Sequence, residues 1–130
     1  MDLKLTGHTA LVSGSTAGIG LAIATALAQE GATVIVNGRT TERVDGAIAQ
    51  IKQTVTDAKL QGVVADLGTF AGTEELFEQV PEVDILVNNL GIYGSRAFEE
   101  ISDDEWMKFL EVNVLSGVRL SRHYLPLMLK

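Results

Sequence analysis

The sequence contains no cysteine, which excludes disulfides and thiolate metal sites. Its two histidines, His8 and His123, stand far apart along the chain, so no metal-ligand spacing is present and no metal site is expected. Positive charge is scarce. Ten Lys and Arg against 17 Asp and Glu leave a formal net charge of −7, a balance that repels phosphate-rich surfaces and argues against nucleic acid or an anionic membrane as partner. It says nothing against one local basic residue. No apolar run approaches the roughly 20 residues that span a bilayer, and Met1-Asp2-Leu3-Lys4-Leu5 lacks the charged-then-apolar stretch of a secretory signal. A soluble cytoplasmic protein is the expectation.

What the chain does have is apolar content. With 130 residues, 46% of them hydrophobic, it is the size of one domain and can bury a core. From His8 to Ser13 a short apolar run, Ala10-Leu11-Val12, stops at a glycine-rich stretch, as a buried parallel strand does. Beyond Gly18, Ile19, Ala22, Ile23, Ala26 and Leu27 form a helical stripe that Gly31 closes. The unit repeats with a β-branched strand at 32–36 and a helix from about Thr40 through Val55. Further strands are expected at 62–65 and 83–87, separated by a short helix around Glu74 to Gln79. After Asn88-Asn89-Leu90-Gly91, which is turn chemistry, only helix is expected. Ser102 with Glu105 three residues on reads as a capping box, and another helix starts near Asn113. Alternating strands and helices imply an α/β fold, a Rossmann-like, doubly wound parallel sheet covered on both faces.

The stretch Ser13-Gly14-Ser15-Thr16-Ala17-Gly18-Ile19-Gly20 lies between the first strand and the first helix. Glycines there let the backbone turn tightly and approach a ligand, while the free N–H groups and positive end of the helix face a phosphate. The spacing G-x-x-x-G-x-G differs from the G-x-G-x-x-G of many dinucleotide-binding proteins and resembles that of the short-chain dehydrogenase/reductase family. Asn88-Asn89-Leu90-Gly91 is similar to that family's Asn-Asn-Ala-Gly motif, with leucine in place of alanine. Asp66 matches its acid after the third strand, and Asn113-Val114-Leu115-Ser116-Gly117 is similar to its Asn-Val-x-Gly region.

The resemblance covers essentially the whole chain and implies a single NAD(P)-binding domain over 1–130. It places the cofactor against Gly14, Ser15, Thr16, Gly18, Ile19, Gly20, Arg39, Asp66, Leu67, Asn89 and Gly91. It gives Asn113 a supporting catalytic role, maintaining a water and lysine relay, and Asp66 a hydrogen bond from the adenine amino group. An NAD-preferring domain carries an acid about 20 residues past the glycine turn. Here that position reads Val36-Asn37-Gly38-Arg39-Thr40, an amide, a glycine and a guanidinium suited to a 2′-phosphate. NADP is the preferred cofactor, NAD the alternative, and Arg39 as a solvated neighbour of Arg43 the plain reading.

The family moves hydride between nicotinamide and a carbonyl or alcohol substrate, using a tyrosine whose proton transfer is eased by a lysine four residues later. No Tyr-x-x-x-Lys occurs: Tyr93 is followed at that spacing by Ala97 and Tyr124 by Met128. Tyr93 is expected to line a pocket wall and Tyr124 to pack within the last helix. The chain is therefore read as the N-terminal portion of a longer domain, apparently truncated after the fourth strand and two following helices, and inactive alone. A different class of function is a non-catalytic nucleotide-binding or oligomerising module, with Leu110, Val114, Val118 and Leu125 at a partner interface. A homo-dimer or tetramer is what the resemblance implies.

Overall fold

The computed structural model describes all 130 residues. Four parallel strands, β1 (Thr9–Val12), β2 (Thr33–Gly38), β3 (Lys59–Val64) and β4 (Ile85–Val87), form one sheet in the order β3-β2-β1-β4. Leu11 aligns with Ile35 and Leu86, and Val12 with Val36 and Val87. Helix α1 (Gly18–Gln29) and α2 (Thr41–Thr54) connect the first three strands; α3 (Phe70–Gln79) leads back across β1 to β4. A right-handed crossover puts its helix on the opposite face when the chain reverses its direction across the sheet. The core divides accordingly. Val12, Val34 and Val36 meet Ala24, Ala28, Ala47 and Ile51 of α1 and α2 on one face. Leu11, Ile35 and Val63 meet Leu76, Leu120 and Tyr124 on the other.

Three elements, α1, β3 and α3, depart from the sequence expectation. The inward face of α1 is Gly20, Ala24 and Ala28, whose small side chains let the helix lie close on the sheet; Ile23 and Leu27 flank it, half-buried against the same cluster, and Ile19 is 75% exposed. Strand β3 begins at Lys59, three residues earlier than its apolar run; it is an edge strand, half solvated, so polar residues alternate along it. Helix α3 begins at Phe70, capped by the Thr69 hydroxyl, which accepts the Gly72 N–H at 3.0 Å. Gly72 lies inside this helix, and glycine is required there because any Cβ would fall on the Asp66 carbonyl.

The two terminal helices are one rod: α4 (Asp103–Leu110) passes through a π-helical turn, Glu111–Leu115, into α5 (Ser116–Met128) without a break. Half of the capping box forms. Ser102 Oγ accepts the Glu105 N–H at 3.2 Å, while the Glu105 carboxylate turns to Arg96 at 2.7 Å. Tyr124 packs across to α3 rather than within its own helix, edge-on to Phe77, and its hydroxyl donates to the Val80 carbonyl at 2.7 Å. No helix is long and apolar enough to cross a membrane.

The end of β2 is tied to its neighbours by a buried amide. Asn37 Nδ2 donates to the Val63 and Ala65 carbonyls at 3.3 and 3.1 Å, and Oδ1 accepts the Gly14 N–H at 3.0 Å. We expect Asn37→Ala to cost about 2–4 kcal/mol in urea unfolding, since three buried backbone groups lose their partner. Burial pushes the Tyr124 phenol above its ordinary pKa. The folded state therefore favours the neutral phenol, and this stabilisation is complete below pH of about 10 and lost as pH rises further. Tyr124→Phe should cost about 1 kcal/mol at pH 7 and flatten the alkaline fall of stability; an unchanged alkaline limb would refute that assignment.

Candidate active site

The carboxyl ends of all four strands open into one cleft of about 500 Å3. It lies where the sheet order reverses between β1 and β4, the place at which open α/β sheets bind ligands. The β1 end supplies the glycine turn. Gly14 and Gly18 adopt φ of 60° and 57°, which a side chain would strain. A Cβ at Gly20 would run into the Gly14 carbonyl, so the helix start can sit against the turn only with glycine there. The starts of α2, α3 and α4 are capped by Thr40, Thr69 and Ser102, but Ala17 gives α1 no side-chain cap and no acid lies in its first turn. Its first N–H groups are thus left to a ligand, and an anion is the chemistry that suits them.

The predicted site residues divide by what their side chains do. Gly14, Thr16, Arg39, Asp66 and Gly91 line the cleft. Ser15 is fully buried and faces away from it: its hydroxyl accepts the Asn37 N–H at 2.9 Å. Asn37, read from sequence as an amide offered to phosphate, spends that amide inside the sheet, because a polar group at 2% exposure needs partners within the chain. Leu67 is 1% exposed and belongs to the core, although it also borders the cleft. Ile19 projects from the first turn of α1.

Asn89 braces the turn from behind, donating Nδ2–H to the Ser13 and Gly14 carbonyls, each at 3.1 Å. The Ser13 hydroxyl in turn accepts the Asn89 and Leu90 N–H groups at 3.0 Å. The leucine at position 90 finds room over Gly14, where a Cβ would stand 3.1 Å from its Cδ1. Asp66 Oδ1 accepts the Gly68 N–H at 3.0 Å, so the acid closes its own turn and keeps its second oxygen for the cleft.

Asn113 lies in the π-helical turn and caps no helix. Its Oδ1 accepts the Ile92 N–H at 2.8 Å and its Nδ2 donates to the Ile92 carbonyl at 2.9 Å, pinning the loop that follows β4. Tyr93, next along that loop, is 98% exposed and lines no wall. The cleft's far wall comes from Asp104, Met107, Lys108, Glu111 and Val112. Sequence reading missed them because nothing local marks a helix that starts at Asp103 as the neighbour of a glycine turn that ends at Gly20. Ser13 and Asn37 were legible in principle, as polar residues ending buried apolar runs.

The profile of the short chain dehydrogenase family matches residues 8–130. An uncharacterized oxidoreductase of Bacillus subtilis (strain 168), YvaG, is 55% identical over 130 residues, covering 100% of this chain and 49% of the relative. D-beta-hydroxybutyrate dehydrogenase of Cupriavidus necator is 39% identical over 126 residues, 94% of this chain and 48% of the relative. L-sorbose reductase from Gluconobacter frateurii, solved with NADPH and L-sorbose, superposes with a TM-score of 0.91 at 34% identity, over 98% of this chain and 50% of that one. The chain spans about half the length of the curated relatives it matches. Glycine turn, switch-point cleft and profile agree, and the chain belongs to the short-chain dehydrogenase family.

Proposed function

We propose that the chain is the cofactor-binding part of an NADP(H)-preferring oxidoreductase acting on a carbonyl or alcohol substrate. The observation that carries the reading is the glycine turn, whose Gly14 and Thr16 line the same cleft as Arg39 and which leads into the uncapped start of α1. L-sorbose reductase with NADPH, and a metagenomic short-chain oxidoreductase in complex with NADP, 26% identical with a TM-score of 0.83, support the cofactor class. In this reading Gly14, Thr16, Gly18, Ile19 and Gly20 seat the pyrophosphate by backbone N–H groups, and Ser15 and Asn89 hold that turn from outside. Asp66 accepts from the adenine amino group, the backbones of Leu67 and Gly91 flank the adenosine, and Arg39 takes the 2′-phosphate. Bound nicotinamide supplies or accepts the hydride.

Asn113 acts on this chemistry as a positioning residue, by fixing the loop after β4. Proton transfer to the substrate oxygen needs an acid/base, and the sequence holds no Tyr-x-x-x-Lys, so the 130 residues alone are expected to bind and not to turn over. A second reading, a nucleotide-binding module that assembles without catalysis, draws on Leu110, Val114, Val118 and Leu125, each between 40 and 52% exposed on the terminal rod.

Calorimetric titration of the chain with NADPH and NADH at two salt concentrations tests the proposal. NADPH should bind more tightly and weaken with salt. Arg39→Ala should weaken NADPH by about tenfold, the loss of one charge-assisted contact, and leave NADH within about twofold. Absence of binding to either nucleotide would sink the reading.

A further inference from the structure

Arg43 is the one feature of the cleft's cationic wall that the nucleotide reading does not use. It sits in the first turn of α2, four residues past Arg39, and both line the cleft with Thr16 and Gly38. The Thr40 side chain accepts the Arg43 N–H at 3.3 Å, which locks the turn carrying Arg43 to the loop carrying Arg39. Neither guanidinium has a carboxylate partner: the chain's two ion pairs are Arg96 with Glu105 and Arg119 with Glu111. That is a notable placement in a chain with 17 acids to 10 bases. The acid in the same cleft nearest in sequence to this wall, Asp66, gives Oδ1 to the Gly68 N–H instead.

Two like charges on one wall repel one another and favour an anion between them. The neighbouring surface is shaped for one. Gly38 leaves its side-chain space to Thr16, whose methyl group a Cβ there would strike. The Thr16 hydroxyl, about the same place on the wall, has no hydrogen-bond partner within the chain and is free to donate.

We propose that Arg43 is a second ligand of the 2′-phosphate, acting with Arg39 and the Thr16 hydroxyl, so that preference for NADP is set by the arginine pair and not by Arg39 alone. The inference rests on the nucleotide reading given above. A phosphate monoester on the adenosine ribose is the chemistry recognised; the fork of each guanidinium can present two donors to it.

Binding of adenosine 2′,5′-bisphosphate and of 5′-AMP to the chain isolates that group, since the two differ only by the 2′-phosphate. The wild-type chain should bind the bisphosphate at least about tenfold more tightly. Arg43→Ala should remove about tenfold of that ratio and leave 5′-AMP within about twofold, and Arg43→Lys should restore part of it, since charge returns without the fork. The combined loss in Arg39→Ala/Arg43→Ala should differ from the product of the single losses, as for two groups on one ligand. Because Arg43 is exposed, the substitution leaves the core intact. A ratio unchanged by Arg43→Ala but abolished by Arg39→Ala would overturn the proposal. Equal wild-type affinity for the two nucleotides would overturn it and spare the nucleotide site, whereas binding of neither would remove both.

Discussion

The Asn37 amide joins the carboxyl ends of three strands at one point, and the cleft depends on that junction. Its oxygen holds the first residue of the glycine turn, its nitrogen holds the end of β3 and the residue beyond it, and its own N–H is held by Ser15. Parallel strands end in unpaired backbone groups, which in a buried position must find partners. A single planar amide supplies donors and an acceptor in one plane, so it closes that gap without water and fixes the turn relative to β2 and β3.

A second clasp does the same on the other side of β1. Asn89 donates its backbone N–H to the Ser13 hydroxyl and its Nδ2–H to the Ser13 carbonyl, and the Leu90 N–H joins at the same hydroxyl, tying the turn after β4 to the β1 turn. Leu90 then fits over Gly14, and Asn113 holds the next residue but one, Ile92, from the terminal rod. The glycine turn is therefore held by the side chains of Ser13, Ser15 and Asn89, which are spent on backbone groups within the chain. Ser15 and Asn89, which a motif assigns to cofactor contact, serve in this structure as supports for the glycine turn and the end of β2. The π-helical turn allows the rod to carry Asn113 to the loop while its other residues reach the cleft wall, a use of irregular helix typical of functional positions.

Much of the fold was legible because periodicity reports burial. The fully buried run of β1 and β2 and the alternation of strand with helix follow from apolar pattern, and the glycine turn follows from spacing. The misjudged elements have a common cause. Gly72 and the Gly20-Ala24-Ala28 face of α1 are small because something lies close to them, and a pattern of hydrophobicity does not register closeness. Strand β3 was shortened because an edge strand shares its surface with water and loses the apolar run.

By itself the sequence determined the class of fold, the glycine turn, the absence of an acid after β2 and the absence of a tyrosine–lysine pair. Each of these is carried by residues within a few positions of one another, so local chemistry is enough to read them. Only the tertiary structure decided which polar residues face the cleft and which hold it, that Arg43 shares a wall with Arg39, and that a helix from the far end of the chain closes the opposite side. Those outcomes depend on the order β3-β2-β1-β4, which gathers residues 14, 39, 66 and 91 at the carboxyl end of the sheet, and on the packing of α4, which sets Lys108 opposite them. Strand order is a property of how separate units pack and not of any one segment.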